Sequence, residues 1–131
     1  LSATIGSVYG DAAGKQFKAL WESHIGFFVD YTLASATGDD KAAKKAEQDL
    51  DGYREDFGAF LESANPNLTK EAVAEGLDPH VQSLLTTIDS AVAGDTKVFD
   101  NLRTAASHDV DLANTLAGAI AAQFPEMFGS S

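Results

Sequence analysis

The sequence predicts an all-α fold: an antiparallel up-down-up-down four-helix bundle built from two repeated helical hairpins. Three observations predict it. Turn signals at Thr37-Gly38-Asp39-Asp40, Asn65-Pro66-Asn67 and Gly94-Asp95-Thr96 cut the 131 residues into segments of helical length, about 11–36, 40–64, 68–93 and 96–124. Within each segment apolar residues recur every three or four positions, the period of one helix face, and β-branched runs are absent. The two halves also superimpose on one another when the chain is shifted by 56 residues.

The first segment carries Phe17, Leu20, Trp21, Phe27, Phe28, Tyr31 and Ala34 on one face. Trp21 belongs to the core by this spacing; exposed, it would mark a docking patch on a neighbouring hairpin. The second segment carries Ala42, Ala46, Leu50, Tyr53, Phe57 and Phe60, and Asp39 or Asp40 stands where its N-cap belongs. The third carries Val73, Leu77, Leu84, Ile88 and Ala91. Pro79 interrupts it, deleting an amide donor and crowding the carbonyl four residues back. A kinked continuous helix is preferred to a break at Gly76-Leu77-Asp78, because Leu77 and Leu84 stay in phase across the proline. The fourth segment carries Val98, Leu102, Ala105, Leu112, Ala113, Leu116 and Ile120, with Asp95 or Thr96 as its cap.

In the shifted alignment Leu1 falls on Phe57, His24 on His80, Phe28 on Leu84, and Gly38-Asp39 on Gly94-Asp95. Residues 1–9 also read like Leu116–Phe124, so they are expected to be the tail of a preceding repeat helix or an N-terminal strap. Residues 10–128 form the bundle domain, and 129–131 a flexible tail. The chain is expected to be a piece of a longer protein with further hairpins of the same kind.

Charge and composition exclude several function classes. Nine Lys and Arg against twenty Asp and Glu leave a net charge of −11. A field of that sign repels phosphate backbones and anionic lipid, so nucleic acid is not an expected partner. No run approaches the roughly 18 apolar residues of a membrane span, so membrane insertion is not expected either. With no Cys, thiolate metal sites and cysteine nucleophiles are ruled out. The expected partners are neighbouring repeats of the same protein or another protein.

The segments Tyr9-Gly10-Asp11-Ala12-Ala13-Gly14-Lys15, Ser63-Ala64-Asn65-Pro66-Asn67 and Gln123-Phe124-Pro125-Glu126-Met127-Phe128 resemble those of an uncharacterised bacterial exported helical-bundle family with tandem helix-pair repeats. The resemblance runs over nearly the whole chain and implies the fold and an extracytoplasmic setting: secreted, periplasmic or cell-surface. Motifs of that family carry a His where His24, His80 and His108 stand here. It implies no mechanism, and this chain departs from it at Pro79.

One constellation could carry chemistry. His24 lies at the centre of the first apolar stripe, His80 within the third, Tyr53 within the second, and Asp109 falls between Leu102, Ala105, Ala113 and Leu116 of the fourth. The two histidines stand 14 residues before Gly38 and Gly94, and Tyr53 and Asp109 stand 15 residues after them. At 1.5 Å per residue all four sit roughly 21 Å from one end. His108 and Asp49 are expected at the margin of this layer.

Two resolutions of such a layer are open. A transition metal, zinc, copper(II) or iron, could be held by His24, His80 and Asp109, with Tyr53, His108, Asp49 or water as additional or second-layer groups. Alternatively the layer is a buried hydrogen-bond network, in which Asp109 accepts from an imidazole and from the Tyr53 hydroxyl and so sets helix register. A di-iron site fails because no Glu-x-x-His occurs, and copper(I) storage fails with Met127 the sole sulfur. Haem ligation is opposed by the bulk of Phe17, Trp21, Phe27 and Phe28 around His24. The adjacent pairs Ser23-His24 and Ser107-His108 face different directions on a helix. No activated nucleophile or matched acid–base pair can be named, so catalysis is not a leading reading.

Overall fold

The computed structural model describes residues 1–128, so the tail expected at 129–131 lies outside the described residues. The chain is all-helical, with six helices and no strand among the described residues. They are α1 (Ser2–Tyr9), α2 (Asp11–Thr37), α3 (Asp40–Ala64), α4 (Lys70–Val92), α5 (Val98–Gln123) and α6 (Pro125–Phe128). The four long helices coincide with the four expected segments. The two short ones lie outside those segments: residues 1–9, expected as a helix tail or strap, fold as a short helix against α2, and Pro125 opens a final turn after α5.

The boundaries follow from local chemistry. At the end of α2 Gly38 takes the left-handed conformation (φ 71°), which lets Asp39 N–H reach back to the Ala34 carbonyl at 2.9 Å. Asp39 then caps α3 by accepting from Ala42 N–H at 3.0 Å. In the α3–α4 loop Asn65 Oδ1 accepts from Asn67 N–H at 2.9 Å, and Thr69 caps α4 through Ala72 N–H. The start of α5 differs from expectation. Asp95 accepts from Lys97 N–H at 2.9 Å, closing the turn, and Lys97 takes the N-cap position without a side-chain bond.

α4 runs unbroken through Pro79. One turn before the proline, Arg54 Nη1 of α3 donates to the Ala74 carbonyl at 3.2 Å and pairs with Asp78 at 2.8 Å. This arginine therefore clamps α3 to the stretch of α4 whose own ladder the proline weakens.

Each long helix packs on the next in sequence, α2 also meets α4, and α1 lies on α2; α2 and α5 do not pack on one another over any length. Two apolar clusters fill the interior. One gathers Phe17, Tyr53, Phe57, Phe60, Leu61, Leu68, Val73 and Leu77, with Ile5, Leu112, Leu116 and Ala119 against it. The other gathers Tyr31, Ala46, Leu50, Val81 and Leu85, with no residue of α5. Of α5 only Ala105 is buried, and Leu102 and Ala113 of the expected stripe are exposed. The inward arc of α5 is centred on Ala105, Leu112 and Leu116 and touches only one of the two clusters. Among the described residues no helix is long and apolar enough to cross a membrane.

Backbones come closest where a glycine stands. A Cβ on Gly58 would lie 2.5 Å from the Lys70 carbonyl oxygen, and one on Gly14 would lie 2.7 Å from that of Ser2. Gly52, also within α3, would meet nothing within 4 Å. Gly58→Ala should therefore cost about 1–3 kcal/mol through overpacking, whereas Gly52→Ala should add about 0.5–1 kcal/mol through helix propensity. Thermal melts of the two variants, shifting in opposite directions, check this.

Candidate functional site

The residues expected to form a mid-bundle layer divide into a buried half and an exposed half. α2 buries His24, whose ring stacks on Tyr53 of α3 with centroids 5.0 Å apart and planes 17° apart. Trp21 and Phe28 meet the same imidazole edge-on. His24 Nδ1–H donates to the Trp21 carbonyl at 2.6 Å, which leaves Nε2 as the unprotonated nitrogen of the neutral ring.

Burial is the main influence on this imidazole, and it lowers the pKa from its ordinary 6.5. The bond to Trp21 opposes the shift, the charge of His80 adds to it, and that of Asp109 opposes it. Burial likewise pushes the Tyr53 hydroxyl well above its usual range, so it stays protonated.

On α4, the side chain of His80 is only 12% exposed, and its Nδ1 lies 3.0 Å from Asp109 Oδ1 of α5. The carboxylate stands off the N–H axis, so Nδ1 has no directed hydrogen-bond partner. The contact is an ion pair when His80 is protonated.

Asp109 departs from expectation, because its side chain is 62% exposed. It lies at the rim, flanking the inward arc of α5, and keeps its charge in water, which removes the desolvation cost of an inward carboxylate. Nor does the Tyr53 hydroxyl bond to it; among the described residues that hydroxyl has no protein partner. His108 flanks the arc on its other side and is half-buried on the outer α4–α5 seam, beside Pro79 and Leu112. Asp49 is engaged one turn back on α3 by Lys45 at 2.7 Å. Thus Tyr53 and His24 are brought together, as are His80 and Asp109, while His108 and Asp49 stand apart. Among the described residues no three His, Asp or Glu side chains converge as metal ligands.

Other polar residues hold the ends of the molecule together. Tyr9 Oη donates to Gln123 Oε1 at 2.8 Å and accepts from the buried Asn65 Nδ2 at 3.3 Å, while Gln123 Nε2 donates to the Ala64 carbonyl at 2.9 Å. Tyr31 of α2 reaches Asp89 of α4 at 3.0 Å. Tyr9, Asn65 and Gln123 all fall within the three motifs singled out in the sequence, but nothing in the spacing of those motifs joins them. For Arg54 the one available signal is a cation isolated among Asp51, Glu55 and Asp56.

Comparison with known protein families, with curated proteins and with solved structures finds no match.

The buried imidazole makes stability depend on pH. His24 is neutral in the fold, whereas in the unfolded chain it takes up a proton below its ordinary value of 6.5. The unfolded state then binds more protons, so stability rises with pH across that window and falls as pH drops. The unfolding free energy should decline from pH 7.5 to pH 5, with a shallower decline in His24→Phe, as measured by urea unfolding at each pH. Equal slopes would remove His24 as the cause.

Proposed function

We propose that this chain is a structural, protein-interaction module of a tandem helical array, its four long helices forming two repeated hairpins in an antiparallel up-down-up-down bundle. The observation that carries this reading is apolar surface left uncovered on the first and last long helices. Trp21, Ile25, Val29 and Leu33 of α2 are exposed, as are Phe99, Leu102 and Val110 of α5. Rows of large apolar side chains in water mark interaction surfaces. The acidic remainder of the surface keeps such a module soluble and discourages indiscriminate association. Its partners are neighbouring repeats or another protein, and the family resemblance favours an extracytoplasmic setting. In this reading the His24–Tyr53 stack and the His80–Asp109 pair set helix register.

A second reading, a module binding one transition metal, is favoured by one observation. In both histidines Nδ1 faces an oxygen, of the Trp21 carbonyl or of Asp109, and Nε2 has no protein partner among the described residues. Metal-binding imidazoles are oriented by a hydrogen bond at the other ring nitrogen, as His24 is by Trp21, whereas His80 has only the nearby Asp109 charge. Asp109 would then stand beside His80 as a nearby negative charge and would not be a ligand itself, and water would complete the shell of zinc, copper(II) or iron.

Thermal melts in EDTA, then with added zinc, copper(II) or iron(II), separate the two. The structural reading expects no change. A bound metal at a hundredfold excess over its dissociation constant adds about 2.7 kcal/mol, so a gain above about 1 kcal/mol that disappears in His24→Ala and His80→Ala would replace it.

A further inference from the structure

The repeat pairs each residue of α2 with one 56 positions later in α4, and the two helices differ in what covers one face. Leu77, Val81 and Leu85 of α4 are 3, 2 and 6% exposed, packed in clusters with Ala46, Leu50, Tyr53 and Phe57 of α3. Their counterparts on α2 are Trp21, Ile25 and Val29, which are 42, 48 and 52% exposed. Spaced four apart, these three form a continuous apolar ridge along α2.

α1 lies at the foot of that ridge. The tight contact of α3 with α4 is between positions 58 and 70, and that of α1 with α2 is between positions 2 and 14. The 56-residue shift converts one pair into the other, with the glycine on opposite partners, Gly58 in one and Gly14 in the other. α1 is therefore to α2 what the last turns of α3 are to α4. α3 continues along α4 through residues 40–56, and the positions equivalent to these lie before Leu1.

We propose that the Trp21–Ile25–Val29 ridge seats a helix of the α3 type that continues α1 upstream of Leu1, the second helix of a preceding hairpin of the same repeat. Gly6 lies against Asp11 and Gly14, and Ser2 against Gly14, so α1 runs antiparallel to α2 and its upstream direction leads onto the ridge. A helix as long as residues 40–56 spans about 25 Å, enough to cover α2 from Phe17 to Leu33. Its apolar side chains stand at the positions of Ala46, Leu50 and Tyr53, and its polar face points outward. The proposal rests on the reading of the chain as an array module and names that module's partner.

Trp21 is the sole tryptophan, so its emission reports on the ridge. Fusing a second copy of residues 40–56 directly before Leu1 places Asp56 in the repeat's own register. The fused chain should gain helical ellipticity, shift Trp21 emission to the blue, melt at a higher temperature and remain monomeric. Ile25→Asp should reverse these gains in the fused chain while leaving the melting of the unfused chain nearly unchanged. An unfolded added segment with unaltered Trp21 emission would overturn the proposal. So would an unfused chain that dimerises with burial of Trp21, which assigns the ridge to a second copy and leaves the array reading intact. All of these readouts are taken in EDTA, so stabilisation by zinc, which would unseat the array reading, cannot contribute to them.

Discussion

Two helices can bring their backbones into contact only where one of them lacks a side chain, and the contacts of α3 with α4 and of α1 with α2 are built on that constraint. Gly58 admits the start of α4 against the end of α3, and Gly14 admits α1 against the start of α2. The close approach lies at the turn end, and farther along the pair Tyr53 and Phe57 share one buried cluster with Leu77, and Leu50 shares the other with Val81.

The polar groups at mid-height follow a second constraint, the cost of taking charge out of water. His24 is buried but neutral, its one N–H satisfied within its own helix and its ring stacked on Tyr53. His80 is nearly buried, and its counter-charge Asp109 stays at the rim. Burial of aromatic surface is thus combined with exposure of the carboxylate, which avoids the several kcal/mol that an enclosed carboxylate costs. Arg54 solves a comparable problem at Pro79, supplying donors from α3 where α4 is weakened.

Much of the architecture was legible in the order of residues. The turns at Gly38 and Gly94 each adopt the left-handed conformation that glycine permits, and the four long helices begin and end within a few residues of the turn signals. The site was legible in part. His24 and Tyr53 sit at the centres of wide apolar stripes, so a small error in phase cannot turn them outward. Asp109 lies on α5, where short alanines and a scattered set of larger residues define the inward direction poorly. An error of half a residue in phase was enough to exchange a core position for a rim position.

The sequence by itself determined what is local: the extents of the four long helices, the Asp39 cap of α3 and the continuity of α4, because these depend on backbone chemistry within a few residues. Only the tertiary structure decided which apolar faces find a partner. The ridge on α2 and its counterpart on α4 have the same spacing and similar hydrophobicity, yet one is covered and the other open. Coverage depends on which helix lies alongside, and neither period nor composition of a single helix encodes its neighbour. The same holds for Tyr9, Asn65 and Gln123, distant in the chain and joined by hydrogen bonds once three helix ends meet.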